Sequence, residues 1–115
     1  MTEKDISIKV SLDKDNIPED IKWNATDASN QEAFEDAKAI NLSIWDPKQN
    51  NTLRIDLWTK EMQVDEMKRF YVDCIGGMAQ SILNSTGDEI MAKRMNDLCE
   101  ELVEHIKKEM QQNMR

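Results

Sequence analysis

From Ile6 to Leu12 apolar and polar residues alternate. Ile6, Ile8, Val10 and Leu12 fall on one side; Ser7, Lys9 and Ser11 fall on the other. A period of two predicts a half-buried strand. Asp13-Lys14-Asp15-Asn16-Ile17-Pro18-Glu19 reads as a turn, beyond which Ile21, Trp23 and Ala25 alternate with Lys22 and Asn24. The two runs are expected to pair as a hairpin, with Trp23 on the Ile21 face and buried beneath later helices. Residues 27 to 36 are polar and acidic around Phe34 and read as a loop with room for one helical turn. A third strand carries Ile40, Leu42 and Ile44 on one face, and a fourth carries Leu53, Ile55 and Leu57. Between them Asp46-Pro47-Lys48-Gln49-Asn50-Asn51 turns the chain, because proline cannot continue a ladder and Asn and Asp tolerate turn geometry. Parity across this turn pairs Ile44 with Leu53 and sets Trp58 opposite Ala39.

The period then lengthens to about 3.6. Val64, Met67, Phe70, Tyr71, Cys74, Ile75, Met78 and Ile82 recur at helical spacing, as do Ile90, Met91, Met95, Leu98, Cys99, Leu102, Val103, Ile106 and Met110. Thr86-Gly87-Asp88 interrupts them, with Gly suited to one helix's end and Asp or Thr to the next one's cap. An antiparallel hairpin centred on Gly87 pairs Ile82 with Met91, Met78 with Met95, Cys74 with Cys99, Tyr71 with Leu102 and Met67 with Ile106. The tail from Gln111 to Arg115 is expected to fray. The fold class expected is α+β. A four-stranded antiparallel sheet of two β-hairpins is followed by a C-terminal antiparallel two-helix hairpin packed on one face. All of it forms one domain over 1–115, the sheet in 1–60 and the helices in 61–115.

Charge narrows the function classes. Acids outnumber bases 23 to 15, a net −8, which opposes binding to nucleic acid or anionic lipid. No apolar run approaches the ~20 residues of a membrane span, and the first residues do not resemble a signal peptide. A cytoplasmic location without membrane insertion is expected. The only cysteines, Cys74 and Cys99, are then expected to be reduced thiols, and the N-x-S/T triplets at Asn24, Asn41 and Asn84 are chance matches.

No constellation for catalysis stands out. His105, the only histidine, reads as a helix-edge residue near a C-terminus rather than a ligand. The cysteines sit on apolar helical faces, where thiols are inert. Asp13, Asp15, Asn16, Glu19 and Asp20 faintly suggest a calcium loop, but the required glycine and spaced glutamate are missing. The three glycines cannot build a phosphate cradle. Gly76-Gly77 costs a helix roughly 1 kcal/mol per residue and so points to close helix–sheet approach or a kink, ahead of a hinge for partner binding. No cofactor, no metal and no enzymatic activity are expected.

The richest clue is one face of the sheet. Alternation sets Trp45 with Asn41 and Ser43, and Trp58 with Arg54 and Asp56, away from the apolar positions. Lys9 and Lys22 are expected on the same outer face, where one acid, Asp56, opposes three cations. Exposed tryptophan with arginine is the composition of interface anchors. Trp45, Trp58, Arg54, Lys9, Lys22 and Ser43 are therefore the candidate protein-binding residues. The occupant is a protein partner, or another copy of the chain in a homo-oligomer, or else the chain's own loops or tail cover both rings.

Leu42-Ser43-Ile44-Trp45-Asp46, Thr52 through Met62, Val64-Asp65-Glu66-Met67-Lys68 and the Thr86-Gly87-Asp88-Glu89 junction resemble the most distinctive stretches of the gliding-motility-associated GldC family of Bacteroidota. The resemblance covers essentially the whole chain. It implies a non-enzymatic accessory role in gliding motility, with a motility or secretion component as partner, and supplies no catalytic residue. Four strands followed by two helices in a small acidic chain also resemble, in architecture alone, the SecB export chaperone.

Overall fold

The structure is a computed structural model that describes residues 3–27 and 33–113. The chain divides into two units, residues 1–62 and 63–115. Among its described residues the first unit holds five strands, β1 (Lys4–Leu12), β2 (Pro18–Asp27), β3 (Glu35–Ala37), β4 (Ala39–Asp46) and β5 (Asn51–Trp58). The second holds two helices, α1 (Val64–Thr86) and α2 (Glu89–Asn113).

Asp13 builds the turn after β1. Its Oδ1 accepts the backbone N–H groups of Asp15 at 2.8 Å and Ile17 at 3.0 Å. Asn16 supplies the left-handed residue at φ 63°, a conformation that asparagine tolerates. The Asp13 carboxylate thus serves the hairpin. β1 and β2 pair antiparallel with Ile8 opposite Trp23 and Val10 opposite Ile21. Asp46 plays the same part in the second turn, accepting the Lys48 N–H at 3.0 Å. Asn50, at φ 53°, reverses the chain there. β4 and β5 then pair with Ile44 opposite Leu53 and Ala39 opposite Trp58, the register that parity predicts.

The strands do not form the single four-stranded sheet expected. They form a three-stranded sheet, β1-β2-β3, and a separate two-stranded ribbon, β4-β5. The cause lies in Glu35–Ala37, which overlaps the expected loop. It pairs with β2, setting Ile21 opposite Ala37, Lys22 opposite Asp36 and Trp23 opposite Glu35. That pairing occupies the edge of β2 that a longer strand would have used. The rest of the expected loop, residues 28–32, lies outside the described residues.

The ribbon is tied to the first sheet at its base. The Thr59 N–H donates to the Lys38 carbonyl at 2.8 Å and the Lys60 N–H to the Pro18 carbonyl at 3.3 Å. The Lys60 ammonium reaches Asp13 at 3.0 Å and Glu19 at 3.3 Å. Ile21, at the centre of the three-stranded sheet, is fully buried, but Trp23 is 39% exposed. The expectation of a buried Trp23 therefore fails. The cross-strand neighbours of Trp23, Ile8 and Glu35, are themselves exposed, as is the next pair along, Ile6 and Ala25, whereas Val10 and Ala37 beside Ile21 are half-buried.

In the second unit α1 closes on Gly87 at φ 74°, whose N–H reaches the Leu83 carbonyl at 2.9 Å. Asp88 caps α2 by accepting the Met91 N–H at 2.9 Å. The helices pair antiparallel at the expected level. The Cys99 thiol meets the Val72 carbonyl at 3.7 Å, and a Cβ built on Gly76 would lie 4.0 Å from the same sulfur. Cys99 is thus level with Cys74, both half-buried and not joined by a disulfide. Near the other end Lys68 pairs with Glu109 at 2.7 Å. The apolar stripes are wider than one helix–helix seam, so Tyr71, Met78, Met91 and Leu98 remain partly exposed. α2 continues to Asn113; the last two residues of the expected frayed tail lie outside the described residues.

Candidate functional site

The β4–β5 ribbon presents two faces. Trp45, Ser43, Asn41 and Ala39 of β4 stand opposite Thr52, Arg54, Asp56 and Trp58 of β5. On this face Trp45 is 62% and Trp58 44% exposed. Six residue steps along the ribbon separate their positions, about 20 Å at strand rise, so the rings bracket Arg54 and Ser43 without meeting. On the opposite face Ile44, Leu53 and Ile55 are 49%, 53% and 50% exposed. Leu42, opposite Ile55, and Ile40 and Leu57, nearer the base, are less so. Cover therefore diminishes toward the turn on the face that alternation marked as core.

Of the six candidate residues, the ribbon brings together Trp45, Trp58, Arg54 and Ser43. Lys9 and Lys22 face one another across β1 and β2 in the other sheet. Each cation also has a partner in its own unit. Arg54 holds Asp56 at 3.2 Å. Lys22 holds Asp36 at 2.8 Å and Asp20 at 3.8 Å, and the Asp36 hydrogen bond, then the Asp20 charge, raises the lysine's pKa. The Lys9 ammonium lies 4.4 Å from the Phe34 ring centroid, a cation–π contact. Asp36 and Phe34 complete this arrangement; sequence reasoning placed both in a loop, because the three-residue strand that holds Asp36 carries no period and Phe34 precedes it.

Other places offer less chemistry. His105, on the exposed side of α2, lies 3.4 Å from Glu109. A shallow hollow at the open end of the helical hairpin is crossed by the Lys68–Glu109 pair and otherwise lined by Gln63, Val64, Asp65, Ile106 and Met110. The Lys68 hydrogen bond holds the Glu109 carboxyl below its ordinary value. Among the described residues no group of three His, Cys, Asp or Glu is placed to hold a metal, and no helix is long and apolar enough to cross a membrane.

The family model for gliding motility-associated protein GldC-like matches residues 18–108. The chain belongs to the GldC-like family. That match takes in β2 through most of α2, including the whole β4–β5 ribbon, and associates this GldC-like chain with gliding motility. No curated protein and no solved structure matches it. The architectural likeness to SecB assumed four strands in one sheet, and the three-and-two division removes that basis.

Proposed function

We propose that this chain is a non-enzymatic accessory protein of gliding motility that acts, in an adaptor or chaperone-like role, by binding protein through the β4–β5 ribbon. The observation that carries the reading is the exposure of Trp45 and Trp58 on a two-stranded element whose opposite face is also apolar and half open. Isolated two-stranded hairpins are marginal in water. Rings held on a strand lose little freedom on contact, so each can contribute about 2 kcal/mol or more to binding. The partner expected from the family association is a motility or secretion component, met in the cytoplasm. The ion pairs of Arg54 and Lys22 remove the special attraction to acidic partners that three unpaired cations would exert.

The test is the double substitution Trp45→Ala with Trp58→Ala. The expected variant keeps the wild-type circular dichroism and loses the stoichiometric species that copurifies with the wild type from the native organism. A variant that unfolds would mark the rings as core. One that folds and retains the same species would place the binding surface elsewhere.

A further inference from the structure

Both faces of the ribbon are half open, and among the described strands β4 and β5 pair only with each other. Such an element requires cover that is always at hand. We infer that the β4–β5 ribbon is an arm clasped by a second copy of the chain, with both faces buried in a symmetric homodimer. This rests on the reading above that the ribbon is a protein-binding surface, and it assigns a second copy, in place of a motility or secretion component, as the occupant.

Charge selects the occupant. Residues 39–58 carry Asp46 and Asp56 against Lys48 and Arg54, so 2 − 2 gives net zero, and the whole −8 of the chain lies outside them. Two copies repel one another over most of their surfaces, since like charges brought together cost association free energy. The ribbon is an apolar segment where two such chains can touch without opposing a net charge. Arg54 and Asp56, paired at 3.2 Å, cancel one another within each copy. The same neutrality gives a strongly charged foreign partner no electrostatic purchase there.

Area decides how the copies meet. Ile44, Trp45, Leu53, Ile55 and Trp58 are each roughly half exposed. Together they offer on the order of 600 Å², about half from each face, against the ~800 Å² that each partner contributes to a standard interface. One face stacked on its copy falls well short. Both faces, with Ser43, Thr52 and the strand edges, approach the requirement, so the arm is gripped on two sides. An isologous two-fold arrangement lets each copy give one arm and receive one, which closes the assembly at two. The first sheet exposes an apolar surface able to receive it, in Ile6, Leu12 and Trp23.

Sedimentation of the full chain over a concentration series tests the proposal. The wild type is expected to sediment as a dimer, and Leu53→Lys with Ile55→Lys is expected to weaken the dimer at least tenfold with unchanged circular dichroism. A wild type that stays monomeric at high micromolar concentration overturns the proposal, as does a folded variant that dimerises like the wild type. Should the variant not fold, hydrogen exchange on the unmodified protein decides. Amides of 39–46 and 51–58 must exchange faster on dilution; equal rates at high and low concentration overturn the second-copy occupant. A monomeric wild type whose Trp45→Ala/Trp58→Ala variant loses a foreign partner would sink the dimer and leave the ribbon a binding surface. A folded double variant that loses neither self-association nor partner would sink both.

Discussion

Ile21 and Trp23 lie two residues apart on one face of β2, each between neighbours on both flanking strands, but those of Ile21, Val10 and Ala37, are half-buried, whereas those of Trp23, Ile8 and Glu35, are exposed. Position in the sheet outweighs size here. Ile21→Ala should cost roughly 2–5 kcal/mol, the range for emptying a core site. Trp23→Ala should cost less, because its ring is already 39% exposed. Urea unfolding of the two variants compares them directly, and a larger loss at Trp23 would mean that its ring is covered in solution. Gly76 and Gly77 raise the opposite question, since each weakens α1. A Cβ on Gly76 would make an ordinary contact with Cys99, and one on Gly77 would meet nothing within 4 Å. Close approach within the described chain therefore does not explain the pair. Gly77→Ala should stabilise the protein by about 1 kcal/mol, read as a higher urea midpoint. Destabilisation would show that another surface comes within reach of the added methyl.

At the scale of elements, the β1–β2 turn and the end of β5 are fastened through Asp13. Its backbone hydrogen bond from Ile17, followed by the Lys60 side chain, holds the carboxyl below its ordinary value. In return Asp13, then Glu19, raises the Lys60 pKa. The depressed aspartate contributes stability fully above its unfolded value and loses it as pH falls through the lower folded value. The raised lysine contributes below its unfolded value and loses it as pH climbs through the higher folded one. The melting temperature should therefore fall on acidification through the carboxylate range. Asp13→Asn should start lower at neutral pH and show a shallower fall. A variant as acid-sensitive as the wild type would assign the loss to other carboxylates, such as Glu109. These turns also show what a sequence discloses. Asp46, Pro47 and Asn50 declare the second turn, and parity then fixes every cross-strand pair down to Ala39 and Trp58. Glu35–Ala37 declares nothing, because three residues have no period, yet its pairing with β2 divides the strands into two groups. Alternation likewise separates the Trp45 face from the Ile44 face but cannot say which is covered, since cover comes from elsewhere in the fold or from another molecule.

At the scale of the whole molecule, the described core is small: Ile21, Ala79, Ala92 and Ile106 are its buried apolar residues. A surface-rich chain with a net charge of −8 can associate with itself only where apolar burial exceeds electrostatic repulsion. Salt acts on these two terms differently. Raising ionic strength shortens the Debye length from about 10 Å at 0.1 M to about 3 Å at 1 M. The long-range repulsion between two −8 chains is screened, and apolar contact through a neutral ribbon is not weakened. Self-association should therefore tighten as salt is raised. Attraction between lysine or arginine and an acidic partner would respond in the opposite direction, weakening as counterions compete. The sign of the salt dependence separates the two, independently of any substitution. Sedimentation of the unmodified chain at low and high sodium chloride measures it. A dimer constant that weakens with salt would mean that unlike charges hold the copies together, which would move the contact from the ribbon toward Lys9 and Lys22 and the acidic surfaces that could oppose them.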